Sequence, residues 1–169
     1  MRLLIYGFGP YKQFKNNITE KILRRLPARK GVKKAIFPVR FQKRQFIEAL
    51  KKHSPEVILG LGQTSRSKRL KIERRAVNRR RENKGDRARP IRAGGRKWLA
   101  TSLRLDGGHQ ARISRDAGDY VCNYSMYVIL DYLKRRGLPA GFGFIHIPHR
   151  FDPAKAGRYL LRTLGEIEY

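Results

Sequence analysis

The sequence predicts an α/β protein, with residues 1–169 forming one domain of three layers, α/β/α, around a mostly parallel twisted sheet that has helices on both faces. Three observations predict it. Short apolar runs alternate with amphipathic segments early in the chain, in the order strand, helix, strand, helix, strand. Glycine or proline stands at most of the junctions. A chain of 169 residues is long enough to bury one core, and no repeat, low-complexity stretch or linker divides it.

Leu3-Leu4-Ile5-Tyr6 reads as a buried strand that ends in the turn Gly7-Phe8-Gly9-Pro10. Asn17, with Glu20 three residues on, has the capping-box pattern and opens a helix to about Arg25, with Ile18, Ile22, Leu23 and Leu26 on one side. Residues 34–39 form the second strand, and 42–53 an amphipathic helix with Phe46, Ile47, Ala49 and Leu50 inward. Residues 57–61 are a third buried strand, which Gly62-Gln63-Thr64-Ser65 leaves as a loop. Residues 70–77 are a further extended segment, Leu99-Ala100-Thr101 a short one, and residues 111–114 another strand. Val121, Tyr124, Val128, Ile129, Tyr132 and Leu133 recur at helical spacing until Gly137-Leu138-Pro139 stops them. Residues 141–148 are the last strand, and Pro153 opens a terminal helix with Ala156, Tyr159, Leu160, Leu164 and Ile167 as its apolar side.

Charge is the unusual feature. Forty Lys and Arg against 13 Asp and Glu give a net charge of +27. Such a balance points to a polyanion, most often nucleic acid. The excess is concentrated in residues 66–97, with 15 basic and 3 acidic side chains, and Arg79, Arg80 and Arg81 at its centre are the candidate polyanion contacts. This stretch reads as an exposed loop with some extended structure. It is nearly free of aromatic residues before Trp98, which argues against stacking on single-stranded bases. The alternative is a solvated basic surface that keeps the protein soluble. A single cysteine excludes an internal disulfide and suits a reducing compartment. The apolar run at residues 3–6 is too short for a signal peptide, and no stretch reaches the length of a membrane span. A soluble cytoplasmic protein with no membrane partner is the expectation.

The lone cysteine, Cys122, falls in the first turn of the predicted helix, with Asp119 as its N-cap. The exposed N–H dipoles of a first turn favour negative charge, the setting a thiolate nucleophile needs. The plainer reading is a small core residue. Of the histidines, His53, His109 and His149 lie at a helix end or in loops, whereas His146 lies near the carboxyl end of the last strand, where sites form in open α/β sheets. Glu73 is an acid inside a basic, partly apolar stretch. Cysteine, histidine and carboxylate together would supply a nucleophile, a base and a group to orient the base; taken singly, His146 is more often a satisfied strand residue and Glu73 more often half of an ion pair. One cysteine and scattered histidines match no metal-ligand spacing.

Several stretches together resemble the pyroglutamyl peptidases, cysteine peptidases that remove an N-terminal pyroglutamyl residue. Gly7-Phe8-Gly9-Pro10-Tyr11 is similar to the family's N-terminal motif, and Gly60-Leu61-Gly62-Gln63 with Ile72-Glu73-Arg74-Arg75-Ala76-Val77-Asn78 to the segment carrying its glutamate. Ala117-Gly118-Asp119-Tyr120-Val121-Cys122-Asn123 and Phe144-Ile145-His146-Ile147-Pro148 resemble the segments around its cysteine and histidine. The resemblance implies Cys122 as nucleophile, His146 as base and Glu73 as orienting acid, with no cofactor. It implies a pocket for the flat lactam ring between aromatic faces, with Phe8, Tyr11, Tyr120 and Val121 as walls and Gln63 as polar contact. Ser65-Arg66-Ser67 departs from the family's Gly-Gly-Arg, and Asn78-Arg79-Arg80-Arg81-Glu82-Asn83 is a shortened loop in which the arginine near the reacting carbonyl has no unique counterpart. The expected partner is a peptide with N-terminal pyroglutamate. The alternative is a family-like scaffold, its activity altered or lost, that binds nucleic acid or another polyanion. Family members often form tetramers, so a homo-oligomer is also expected, though this charge opposes close association.

Overall fold

The computed structural model describes residues 1–167. Its elements are β1 (Leu3–Phe8), α1 (Ile18–Arg25), β2 (Val32–Phe37), α2 (Lys43–His53), β3 (Val57–Thr64), β4 (Leu70–Glu73), β5 (Arg75–Val77), β6 (Trp98–Ala100), β7 (Ala111–Ser114), α3 (Val121–Arg136), β8 (Gly141–Pro148) and α4 (Pro153–Gly165). Six strands make one sheet in the order β2-β1-β3-β8-β4-β7, and β5 pairs with β6 in a separate two-stranded ribbon. All pairs of the large sheet are parallel except β4 with β8, which are antiparallel. The expected architecture is therefore the observed one.

Alternate residues of the strands feed two cores, as the pleat requires. Leu3, Ile5, Leu59, Leu61, Ile72 and Ile145 pack toward α1 and α4. Leu4, Tyr6, Phe8, Ile58 and Phe144 pack toward α2 and α3. The central strands β1, β3 and β8 are almost wholly buried, so helices cover both faces.

Several boundaries differ from the sequence-based expectation. Gly7 and Phe8 belong to β1 rather than to a turn, because β1 keeps its pairing with β2 as far as Phe8. Gly62, Gln63 and Thr64 continue β3, because β8 supplies a partner for each of them. Residues 70–77 break at Arg74 into β4 and β5, which pair in different sheets. The Asn17 side chain caps α1 by accepting from the Thr19 N–H, but Glu20 turns away to Arg24 at 2.8 Å, so the reciprocal half of the capping box does not form. Residues 66–97 are more tied down than a free loop. Asn78 accepts from the N–H groups of Ile91 and Arg92 and donates to the Arg92 carbonyl, while Asp131 of α3 holds Arg92 at 3.0 Å.

Among the described residues, no helix is long and apolar enough to cross a membrane.

Candidate active site

Glu73 ends β4, and His146 lies near the end of β8. Antiparallel pairing sets Glu73 opposite Phe144, two residues from His146 on the same side of the sheet. His146 Nδ1 lies 2.8 Å from Glu73 Oε1, and both side chains are buried, Glu73 completely. The Phe144 ring meets the imidazole edge-on at 5.1 Å and backs it from the sheet side. With Nδ1 committed to Glu73, Nε2 is the nitrogen left for another partner.

That partner comes from α3. Cys122 is half-buried in the first turn, and its sulfur and the His146 ring meet over Gly62. Gly62 of β3 makes room for the contact. A Cβ there would lie 2.7 Å from Cys122 Sγ and 2.8 Å from His146 Cδ2, so any side chain would force the two groups aside. Gly62→Ala is expected to lower kcat by about 100-fold, the order of loss that follows a displacement of ~1 Å in a reacting group. Steady-state kinetics beside a thermal melt would check that the fold survives.

Burial works against a charged His146, but the Cys122 sulfur and the Glu73 carboxylate outweigh it and raise the imidazole pKa to about 9. The arrangement sets the sulfur beside a ring that holds its proton, with a buried carboxylate behind the ring.

Asp119 does not cap α3. Tyr120 occupies the N-cap position and makes no side-chain capping bond. Asp119 instead receives Arg81, whose Nε lies 3.1 Å from Oδ2, with Arg79 at 4.0 Å. The physical reason is competition: a carboxylate facing two guanidinium groups gains more than it would from amides already shared by the helix dipole. The first-turn N–H groups above Cys122 are thereby left free of a competing anion. Asn123, overlooked in the sequence, fixes this turn. Its side chain accepts from the Val77 N–H and donates to the carbonyls of Val77 and Arg79, tying α3 to β5 and to the basic loop. A buried asparagine next to the nucleophile was the available signal, as were the alternate glycines Gly60 and Gly62 in a strand.

A cleft of about 830 Å³ opens over Cys122 and His146 and is lined by Phe8, Tyr11, Gln63, Tyr120 and Val121. The structure therefore brings all the expected wall residues to one place. Tyr11 and Tyr120 lie 6.2 Å apart at an interplanar angle of 39°, in contact with each other. They form one continuous wall, not two jaws with a ring between them. Gln63 accepts the Ile18 N–H at 2.9 Å, which fixes its amide, and its buried Nε2 has no hydrogen-bond partner among the described residues. Of the three consecutive arginines, Arg81 lines the cleft, Arg80 lies over the Phe41 ring and 3.8 Å from Glu82, and Arg79 reaches Asp119. Each thus has an acidic or aromatic neighbour within the fold, and Arg79 stays exposed.

An α/β sheet whose last strand carries a histidine between a buried carboxylate on the next strand and a cysteine in a helix first turn has the layout of a cysteine hydrolase. Comparison with known proteins narrows the class. The family model for pyroglutamyl peptidase matches residues 1–92 and 96–155. The pyrrolidone-carboxylate peptidase of Lactobacillus helveticus is 30% identical over 99% of this chain and 93% of its own length. That of Halalkalibacterium halodurans is 32% identical over 86% of this chain and 83% of its own. Among solved structures, pyroglutamyl peptidase I of Bacillus amyloliquefaciens superimposes with a TM-score of 0.81 at 26% identity, covering 97% of this chain and 91% of that one. Pyrrolidone carboxyl peptidase of Thermus thermophilus gives 0.84 at 26% identity, covering 98% and 100%. The chain belongs to the pyroglutamyl peptidase family. The nucleic-acid alternative, which rests on the basic loop and on the arginine that loop lacks, finds no support in these comparisons.

Proposed function

We propose that the protein is a cysteine peptidase that removes pyroglutamyl residues from peptide N-termini, with Cys122 as nucleophile, His146 as general base and acid, and Glu73 as the group that orients His146. The observation that carries this reading is the meeting of Cys122 and His146 in one cleft with the unpartnered Gln63 Nε2, with Glu73 buried behind the imidazole. A pyroglutamyl group carries no charged amine, and its lactam carbonyl suits a fixed neutral donor against an aromatic wall.

The chemistry follows from the geometry. His146 already holds the proton of the pair at neutral pH, and the sulfur adds as thiolate to the pyroglutamyl carbonyl carbon. The negative oxygen that forms is held by the uncapped N–H groups of the first turn of α3, where the helix dipole favours it. Arg81, in the same cleft, adds positive potential. The C–N bond then breaks as His146 gives its proton to the departing amine, leaving a thioester. Water, deprotonated by His146, attacks the thioester, and the thiolate is regenerated with release of pyroglutamic acid.

Purified protein should release aminomethylcoumarin from its pyroglutamyl amide; absence of release by folded protein would count against the reading. A pH dependence follows from the imidazole. Because its pKa is raised to about 9, His146 keeps its proton through the neutral range and loses it as the pH rises past that value. The kcat/KM profile should therefore fall on its alkaline side near pH 9. A fall centred near 6.5, the ordinary histidine value, would mean that the thiolate and carboxylate do not hold the ring charged.

A further inference from the structure

The cleft carries a cation that the reaction does not use. Lys71, on β4, is the direct register partner of His146 across the antiparallel pair and lines the same cleft. It is half-buried. The acids around it are committed elsewhere. Glu73 faces His146, Asp119 holds Arg79 and Arg81, Glu82 lies near Arg80, and Asp116 Oδ1 accepts the Gly118 N–H. On its other side Lys71 pairs in register with Arg112 of β7, another cation. Among the described residues Lys71 makes no ion pair, so this ammonium in the cleft beside the reacting centre has no counter-charge of its own and is free to meet one on a ligand.

The sheet order says which part of a substrate meets it. Phe8 of β1 and Gln63 of β3, which wall the ring pocket, lie on one side of β8; Lys71 of β4 lies on the other. A substrate whose ring sits against Phe8 and Gln63, and whose carbonyl lies at Cys122 and His146, runs its leaving peptide toward β4. Resting on the peptidase reading above, we propose that the enzyme prefers pyroglutamyl peptides with a carboxylate immediately beyond the scissile bond, and that Lys71 is the specificity-determining residue that receives it. Exposed Arg66 and Lys84, which also line the cleft, reinforce the positive field there.

The carboxylate could be the free terminus of a dipeptide or the side chain of an acidic second residue, and four substrates tell these apart. Pyroglutamyl-aminomethylcoumarin and pyroglutamyl-alanine amide are neutral references. Pyroglutamyl-alanine supplies a terminal carboxylate, and pyroglutamyl-glutamate amide a side-chain one. At low salt, one or both acidic substrates should exceed the alanine amide in kcat/KM by about tenfold, mainly through KM, and the advantage should shrink as salt is added. An advantage for the dipeptide alone assigns the terminal carboxylate; one for the glutamate amide alone assigns the side chain. Lys71→Met should bring the acidic-to-neutral ratio within each enzyme close to one, and Lys71→Arg should keep most of it. Should Lys71→Met fold poorly, Lys71→Gln gives the same ratio. Equal rates on acidic and neutral peptides, or an unchanged ratio without the lysine, would overturn the inference while leaving the peptidase reading intact. No release from any of the four would overturn both.

Discussion

Cys122→Ala should abolish pyroglutamyl release, with a fall in kcat of about 10⁴-fold or more. The whole reaction passes through a bond to this sulfur, so what remains is what the oxyanion donors and binding groups achieve with water alone. The fold should tolerate the change, since Cys122 is half-buried in the first turn and the helix is anchored by Asn123 and by the Ser125 hydroxyl donating to the Cys122 carbonyl at 2.8 Å. A second readout follows from electrostatics. The neighbouring sulfur is the first of the influences that raise the His146 pKa against burial, so in the alanine variant the imidazole should titrate at a lower pH than about 9. Histidine titration by NMR on both proteins would check this. Persistent hydrolysis in the variant, with its fold intact, would remove Cys122 from the mechanism.

Glu73→Gln is expected to lower kcat by about 10³-fold while leaving KM nearly unchanged, because a buried carboxylate that orients a catalytic imidazole acts mainly in the transition state. Glutamine keeps the shape but removes the charge 2.8 Å from His146 Nδ1. The pH dependence of stability should change with it. In the native protein the imidazole pKa is raised, so its contribution to stability is complete below the ordinary value of 6.5 and is lost as the pH rises through about 9. Without the carboxylate the native value falls and that window narrows from its upper end. Melting temperatures measured across this range for both proteins would check it. An unchanged pH profile would place Glu73 outside the pair.

Periodicity made the helices and most strands legible. Residues 111–114 and 141–148 were readable to the residue, since each is an apolar or alternating run with turn signals at both ends. Gly62-Gln63-Thr64 was not, because glycine and glutamine carry no strand signal of their own; they are held extended by pairing with β8, more than 80 positions further along the chain. The reversed direction of β4 was hidden for the same reason, as strand direction is set by its neighbours and not by local composition. At the site, residue types and motif spacing pointed to Cys122, His146 and Glu73. The fate of Asp119 was illegible: its sequence position suits a cap, and the pull of Arg81 and Arg79 is visible only once the loop folds against α3. Lys71 was one basic residue among many until the register set it beside His146.

The strand order also sets a timetable. β8, the strand between β3 and β4, is built from residues 141–148, long after both of its neighbours have left the ribosome. Until it arrives, β3 lacks one neighbour, β4 has no link to β3, and neither the carboxylate nor the thiol has an imidazole to face. Insertion of a late strand between two early ones requires pairing between distant parts of the chain, the kind of step that slows folding. The nascent chain thus cannot assemble its hydrolytic centre piecemeal. The strand that closes the sheet also delivers the imidazole, so closure of the sheet and assembly of the hydrolytic centre are a single event.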